Sequence, residues 1–242
     1  MTEIIISGAN GKMGNITQNI IKENDSFNII ALYDPSYKEQ KPLYSDKESL
    51  PNSELVIDFC TSDAIFDNCI YWQSMYKNII VGSSGLTKEN IAHLSSIILE
   101  DQLIWIVPNF SIGSVLQKRW ATEASKYYDN VHIEERHHSA KQDAPSGTSY
   151  DLASSLENLS SDKPTYNLNG KKTIVNNIEI NSLRNDQYLA EQEVIFSDPN
   201  EMLRIEHISK NRESYETGII LALEHYQGFK GICIGLDVVL GK

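Results

Sequence analysis

The chain has 242 residues and a formal net charge of −12 at neutral pH, with 40% hydrophobic and 22% charged residues. This composition is typical of a globular protein with a sizeable core, and it excludes an intrinsically disordered chain. The acidic surplus argues against nucleic acid and against an anionic membrane as partners, because both are polyanions and would be repelled.

The cysteine pattern bears on the cellular compartment and on metals. Cys60, Cys69 and Cys233 are far apart and form no C-x-x-C pair, so we expect neither a disulfide framework nor a metal site. That is typical of a cytoplasmic protein. The amino terminus has no basic segment and no apolar run approaches about 18 residues, so we expect neither export nor a membrane span.

The first elements in the chain have the order strand, glycine turn, helix, strand. The apolar strand Ile4–Ser7 leads into Gly8–Gly14, helical spacing begins at Met13, and a second strand covers Phe27–Leu32, just before Asp34. In a dinucleotide site the glycines let the backbone approach the pyrophosphate, and the acidic residue accepts the ribose hydroxyls. Because the spacing is G-x-x-G-x-x-G, a turn that only joins strand to helix remains the alternative.

Asp34 also predicts the cofactor preference. A carboxylate there repels a 2′-phosphate, and the next residue is Pro35 rather than an arginine that could neutralise one. This favours NADH. Lys12 and Lys38 are cations that could accept NADPH, so we expect both cofactors to work.

Three more apolar strands follow at 55–59, 78–81 and 103–107, separated by helical segments, while 37–52 reads as a loop. Five such strands predict an α/β, Rossmann-like doubly wound parallel sheet, whose ligands bind beyond the carboxyl ends of the strands. We therefore expect one crevice to be lined by Gly8, Cys60, Gly82 and Asn109. For the turn at Gly82–Gly85, an ordinary strand-to-helix connection is the alternative.

The segment from Glu134 to Thr148 combines two adjacent histidines, a lysine and a Pro-Ser-Gly-Thr turn at the end of a strand. Successive strand side chains point to opposite faces, so His137 and His138 cannot share one role if the strand continues through them. Lys141 and the N–H groups of a helix start would bind a small carboxylate, with a proton donor beside it. The alternative is a solvated loop with incidental histidines.

From Lys171 the pattern becomes strand alternation at 173–175, 178–180, 192–196 and 202–207, which predicts a second α+β domain with a mixed or antiparallel sheet. The open face of that sheet suits substrate or a partner subunit. We expect helices at 114–127, from Pro145 to about Leu159 and at 213–226, a polar loop at 160–169, and an apolar run at 235–240. The predicted domains are residues 1–108 plus about 213–242, for dinucleotide binding, and 109–212, for substrate binding and oligomerisation.

The sequence resembles a known family, 4-hydroxy-tetrahydrodipicolinate reductase, formerly dihydrodipicolinate reductase, of the bacterial diaminopimelate and lysine pathway. The resemblance rests on segments 8–14, 58–61, 82–85 and 108–113, and above all on 137–148. It implies reduction of an unsaturated nitrogen heterocycle with two carboxylates, by hydride from NADH or NADPH, to tetrahydrodipicolinate. It also implies a homotetramer joined through the sheet of the second domain.

By motif position, His137 is similar to the family's proton donor, Lys141 to its catalytic lysine and His138 to a substrate contact. Gly147 and Thr148 match its donors to a substrate carboxylate. Hydride addition leaves negative charge on the ring, which a cationic His or Lys can stabilise and protonate. We add Arg212 as a further positive charge for the substrate. The residues predicted to bind the cofactor are Gly8, Asn10, Gly11, Lys12, Met13, Asp34, Cys60, Gly82, Ser83, Ser84, Pro108, Asn109 and Phe110.

The chain departs from the family pattern at three places. Cys60 replaces the threonine common after Asp-Phe, Ser83 and Ser84 replace paired threonines, and Gln192 stands where a histidine is often seen. The last departure leaves the strand register of the second domain open.

Two other functions remain as hypotheses. Another two-domain Rossmann dehydrogenase, of the amino-acid or aspartate dehydrogenase type, would share the glycine turn but gives no reason for the His-His-x-x-Lys and Ser-Gly-Thr arrangement. A non-catalytic nucleotide-sensing protein would keep the cofactor half and leave the histidine-lysine segment as a structured loop.

Overall fold

The computed structural model describes residues 1–38, 40–76, 78–156 and 170–241. It contains two compact units: unit 1 is Met1–Phe110 with Tyr215–Lys242, and unit 2 is Ser111–Ser214. The predicted fold class, a Rossmann-like parallel sheet with a second α+β domain, is confirmed.

The elements are numbered in chain order. The strands are β1 (Thr2–Ser7), β2 (Phe27–Tyr33), β3 (Leu43–Tyr44), β4 (Leu55–Asp58), β5 (Asn78–Val81), β6 (Leu103–Ile106), β7 (Asn130–His137), β8 (Lys171–Val175), β9 (Ile178–Arg184), β10 (Ala190–Ser197), β11 (Met202–Ser209) and β12 (Gly231–Ile234). The helices are α1 (Lys12–Lys22), α2 (Ile65–Met75), α3 (Lys88–Ile97), α4 (Ile112–Ala124), α5 (Gly147–Ser155) and α6 (Glu216–His225). Short 3-10 helices cover Lys47–Ser49, Arg212–Tyr215, Tyr226–Gly228 and Asp237–Val239.

The sheet of unit 1 has seven parallel strands in the order β12-β6-β5-β4-β1-β2-β3. Its central strands are continuous apolar runs because both faces are buried; Ile4, Ile5 and Ile6 have no solvent exposure. Strand β1 has β2 on one side and β4 on the other. The strand order therefore reverses beside β1, and the ends of β1 and β4 flank the point where such sheets bind ligands.

Two edge strands of this sheet were not predicted. Strand β3 lies in the segment expected to be a loop and pairs with β2 through two residues only. Strand β12 pairs with β6, and it precedes the apolar run 235–240, in which Leu236 is buried. Strand β3 has only two residues and β12 begins at a glycine, and each acquires strand conformation by pairing with its one neighbour in the sheet.

Helices α4 and α5 differ from their predicted bounds. Helix α4 begins at Ile112 because the side chain of Ser111 caps it, accepting a hydrogen bond from Ser114 N–H at 3.4 Å. Helix α5 ends at Ser155. The helix end predicted near Leu159 and the loop predicted at 160–169 lie outside the described residues.

The sheet of unit 2 has the order β11-β10-β7-β9-β8. Strands β7 and β9 are parallel and the other neighbours antiparallel, so the sheet is mixed, as predicted. One face packs its buried Ile133, Ile180, Val194 and Phe196 against apolar residues of α4 and α5. None of the helices in the described ranges is long and apolar enough to cross a membrane.

Candidate functional site

The glycine turn of unit 1 brings backbone from two loops into contact. Gly8 has φ +69°, and a Cβ there would lie 2.5 Å from the carbonyl oxygen of Phe59, so only glycine fits. A Cβ on Gly14 would lie 2.5 Å from the carbonyl oxygen of Gly8. Gly11 precedes α1 and has no side chain to cap the helix. The first N–H groups of α1 therefore suit a phosphate, and this cradle fits a dinucleotide.

Asp34 lies just after β2 and is hydrogen-bonded to the glycine turn. Its Oδ2 accepts from Asn10 N–H at 3.2 Å, and its Oδ1 accepts from the Ser36 N–H at 3.0 Å and from the Ser36 hydroxyl at 2.6 Å. The side chain of Asn10 donates to Ser36 Oγ at 3.0 Å. Asp34 thus holds the turn in place as well as presenting a carboxylate. Lys12 is the exposed first residue of α1, and Lys38 is also exposed.

A cleft of about 390 Å³ lies beyond the ends of β4 and β5. Gly82 lies directly against the Phe59 ring, since a Cβ there would lie 2.2 Å from a carbon of that ring, so the packing of Phe59 requires glycine at this position. Ser83 Oγ donates to the Cys60 carbonyl at 2.6 Å, which joins the two loops. The residues lining the cleft are Met13, Phe59, Cys60, Thr61, Ser62, Gly82, Ser83 and Ser84.

The segment after β6 borders the same part of unit 1. Pro108 is exposed, Asn109 is half-buried and Phe110 is buried. The ring centres of Phe59 and Phe110 lie 6.0 Å apart. Of the four residues expected to line one crevice, Cys60 and Gly82 line the cleft itself, and Gly8 contacts the adjoining Phe59 backbone. Asn109 is not among the lining residues.

A buried carboxylate, Asp58, holds the Cys60 loop by a hydrogen bond. Its role was not predicted from the sequence. Asp58, at the end of β4, has no solvent exposure and accepts from Cys60 N–H at 2.7 Å and from the Asn68 amide at 2.9 Å. The indole N–H of Trp72 also donates to it. Lys47 Nζ contacts Asn68 Oδ1 and lies 5.4–5.8 Å from the centres of three aromatic rings. In the sequence, the one feature that could have indicated this role is an acidic residue at the end of an apolar strand.

In unit 2, His137 is the last residue of β7 and contacts a buried acid two positions earlier. Nδ1 of His137 lies against Oε2 of Glu135, whose side chain has no exposure. Arg184 Nη2 donates to the other oxygen of Glu135 at 2.8 Å. Burial by itself would raise the pKa of Glu135, but its contacts with His137, Arg184 and Ser182 lower that pKa to about 2.

The loop after β7 carries Lys141. Its Nζ pairs with Asp143 at 2.8 Å, and the lysine side chain is 24% exposed. Burial of Asp143 acts to raise its pKa, yet the hydrogen bond and charge of Lys141 lower it. Asp186 accepts from Ser139 N–H at 3.2 Å and anchors the start of the same loop. Lys141 is thus a partly exposed cation on a loop that these contacts hold in place.

Helix α5 begins beside this loop with an accessible N-terminus. The Ser146 hydroxyl caps the helix by accepting from Ser149 N–H at 3.2 Å, so the first-turn N–H groups at Gly147 and Thr148 remain for a ligand. Both residues are exposed, and a Cβ at Gly147 would meet nothing within 4 Å. An anion could therefore reach this helix end.

Gln192 supports the helix start from the sheet. It accepts from Ser149 Oγ at 2.5 Å and donates to Gln117 of α4 at 3.0 Å. In the register it stands opposite Glu135, on the face that packs against the helices. The side-chain amide of Gln192, which stands where a histidine is often seen in the family, therefore forms buried hydrogen bonds with both α4 and α5.

The remaining predicted substrate residues differ in setting. His138 is half-buried and immediately follows β7, whereas Arg212 is exposed in the 3-10 helix Arg212–Tyr215. His137, His138 and Lys141 are close in the sequence, and the Lys141 N–H donates to the His138 carbonyl at 3.1 Å, which closes a turn between the strand and the lysine. No described hydrogen bond joins Arg212 to that group.

Comparisons with known proteins cover nearly the whole chain. Residues 2–110 match the family described as "Dihydrodipicolinate reductase, N-terminus", and residues 113–240 match "Dihydrodipicolinate reductase, C-terminus". The chain is 32% identical to 4-hydroxy-tetrahydrodipicolinate reductase of Streptococcus gordonii, over 98% of this chain and 99% of that protein. It is 28% identical to the same enzyme of Lactiplantibacillus plantarum, over 99% and 100%.

A solved structure agrees with this. The dipicolinate-bound dihydrodipicolinate reductase from Paenisporosarcina sp. TG-14 has a TM-score of 0.82 and 25% identity, over 99% of each chain. The two family matches together cover residues 2–110 and 113–240, so the similarity extends over both units. That resemblance is therefore confirmed, and the chain belongs to the dihydrodipicolinate reductase family.

Proposed function

We propose that the protein is an NAD(P)H-dependent oxidoreductase that reduces 4-hydroxy-tetrahydrodipicolinate to tetrahydrodipicolinate in the diaminopimelate and lysine pathway. The observation that carries the proposal is that residues 137–148 of unit 2 supply a histidine held by a buried acid, a partly exposed lysine and an accessible helix start, which together suit an anionic ring substrate. The two family matches and the dipicolinate bound by the Paenisporosarcina enzyme support it.

Unit 1 holds the cofactor in this proposal. The N–H groups at the start of α1 bind the pyrophosphate, and Gly8, Gly11 and Gly14 let it approach the backbone. Asp34 accepts the ribose hydroxyls. The loops 82–84 and 108–110 and Cys60 contact the nicotinamide side, and Asn10, Lys12 and Met13 complete the binding residues. When bound, the reduced nicotinamide supplies the hydride.

We further propose a preference for NADH, supported by the carboxylate of Asp34 and by Pro35 beside it. NADPH should still work through Lys12 and Lys38. Comparing kcat/KM for the two cofactors on the wild-type protein tests this. A strong preference for NADPH would refute the role given to Asp34.

Unit 2 binds and protonates the substrate. Lys141 and the N–H groups of Gly147 and Thr148 hold one carboxylate, with the Thr148 hydroxyl as a further donor. His138 contacts the ring, and Arg212 adds positive charge for the second carboxylate. His137 stabilises the negative charge that hydride addition leaves on the ring and then donates a proton to it.

The quaternary structure in this proposal is a homotetramer joined through the face of the unit 2 sheet opposite α4 and α5. On that face Ile174, Met202 and Ile208 are 46–68% exposed, and apolar exposure of this kind favours a subunit contact. Light scattering should give four chains per particle. We also propose a cytoplasmic location, where reduced nicotinamide cofactors are available, and cell fractionation checks it.

The decisive experiment is the double variant His137→Ala/Lys141→Ala, assayed by NADH oxidation with substrate made in situ. We expect turnover to fall by at least about 100-fold while NADH binding survives, because general acid catalysis is removed from unit 2 only. Lys118→Ala is a matched control, since Lys118 also pairs with an aspartate on unit 2, at 2.5 Å. Retained turnover in the double variant would refute the roles of His137 and Lys141.

The same protein samples separate the enzyme from a nucleotide sensor. With NADH present, a dipicolinate-like dicarboxylate should raise the melting temperature, because a ligand that binds only the native state stabilises it. The absence of both turnover and this shift would favour the sensor.

A further inference from the structure

Glu135 and Arg184 lie next to His137 on one face of the unit 2 sheet. In the register Glu135 stands opposite Ser182 of β9, and His137 stands opposite Arg184. Residues two apart on a strand share a face, so all four side chains point to the side that packs against α4 and α5. Glu135 is buried for that reason, although it is an acid.

Two buried atoms on this face have only each other as a partner. Nδ1 of His137 and Oε2 of Glu135 are both buried, and neither makes a hydrogen bond elsewhere in the described residues. They lie directly against each other instead. Buried polar atoms are almost always satisfied in folded proteins, so a proton on Nδ1 is what this arrangement requires.

The exposed part of the imidazole ring follows from the same geometry. The His137 side chain is 15% exposed. Because Nδ1 is buried, that exposure lies elsewhere on the ring. A histidine held through Nδ1 presents Nε2 to its reaction partner.

Arg184 connects this pair to the lysine loop. Its Nη2 donates both to Glu135 Oε1 at 2.8 Å and to the backbone carbonyl of Asp143 at 2.6 Å. Asp143 is the residue that pairs with Lys141. One guanidinium group therefore holds the acid behind His137 and the segment that carries Lys141.

We infer that Glu135 and Arg184 are positioning residues for the reaction: Glu135 keeps the proton of His137 on Nδ1 and directs Nε2 to the substrate, while Arg184 fixes Glu135 relative to the Lys141 loop. The catalytic part of this inference rests on the proposed function.

The kinetic test uses Glu135→Gln, with Glu135→Asp and Glu134→Gln as comparisons. Glu134 is the neighbouring residue, but it lies on the opposite face and pairs with Arg136 at 2.6 Å. We expect kcat of Glu135→Gln to fall by about 100-fold, the lower end of what a positioned general acid contributes, with the KM for NADH unchanged. Glu135→Asp should recover part of kcat, and Glu134→Gln should match the wild type. A wild-type kcat in Glu135→Gln would overturn the inference.

The structural test uses nitrogen NMR of histidine in the free wild-type protein at neutral pH. We expect a proton on Nδ1 of His137, with a changed spectrum in Glu135→Gln and an unchanged one in Glu134→Gln. A His137 that carries its only proton on Nε2 would overturn the inference even if the Glu135 variants fail to fold. Because this spectrum needs no turnover, it keeps its meaning if the wild type does not reduce the proposed substrate.

Discussion

The backbone N–H of Cys60 donates a 2.7 Å hydrogen bond to Oδ1 of Asp58, a carboxylate with no solvent exposure. Cys60 lines the cleft of unit 1, so a buried acid determines where one wall of that cleft lies. Burial, together with the charge of Asp58, raises the pKa of the Cys60 thiol, which therefore stays protonated. The thiol contributes shape to the cleft rather than reactivity.

The first prediction concerns Asp58→Ala. Three buried donors, on Cys60, Asn68 and Trp72, would lose their acceptor, so we expect the free energy of unfolding to fall by about 3 kcal/mol or more. The KM for NADH should rise because the Cys60 loop is released. Urea denaturation and steady-state kinetics measure the two effects. Asp25→Ala, at a carboxylate outside this network, is the control, and a change at Asp58 no larger than at Asp25 would contradict the prediction.

The second prediction concerns Asp34→Asn. Removing the negative charge removes its repulsion of a 2′-phosphate, so kcat/KM for NADPH relative to NADH should rise by about tenfold, or about 1.4 kcal/mol. The amide still offers one oxygen to the hydrogen bonds from Ser36, although the acceptor for Asn10 N–H is lost. An unchanged melting temperature would show that the turn is intact. If the ratio of kcat/KM for NADPH to kcat/KM for NADH does not change, Asp34 does not select the cofactor.

The third prediction compares alanine at Gly14 and at Gly147. A Cβ at Gly14 would overlap the Gly8 carbonyl, so we expect a loss of about 1–3 kcal/mol in unfolding free energy and weaker NADH binding. A Cβ at Gly147 meets nothing, so Gly147→Ala should leave stability the same or raise it by up to about 1 kcal/mol. Thermal melts and NADH titration check both variants. Equal changes of the unfolding free energy in Gly14→Ala and Gly147→Ala would contradict this prediction.

The fourth prediction concerns acid stability. Glu135 has its pKa lowered from 4.5 to about 2, so the folded state holds the carboxylate more strongly than the unfolded chain does. Its stabilisation, on the order of 3 kcal/mol, is complete above about pH 5 and is lost as the pH falls towards 2. Unfolding free energies measured from pH 7 to 3 should therefore fall less steeply in Glu135→Gln than in the wild type. Parallel curves would show that the native contacts of Glu135 do not lower its pKa.

The sequence predicted the fold class because its signals are local. The run Ile4–Ser7, the glycines after it and the alternation Ile178-Glu179-Ile180 each show a period or a turn within a few residues. The strands β3 and β12 escaped prediction because they lie at the two edges of the sheet and acquire their structure by pairing with β2 and β6. The register at Gln192 was likewise settled by its contacts with Ser149 and Gln117.

By itself, the sequence determined the order of elements, the family and the residue types of the candidate site, since these are written in neighbouring positions of the chain. The tertiary structure alone decided which side chains support that site. Lys47 meets Asn68 across 21 positions, and Arg184 meets Glu135 across 49. Pairing of β7 with β9 brings Arg184 to Glu135, and the contact between the 3-10 helix Lys47–Ser49 and α2 brings Lys47 to Asn68; no local period records either pair.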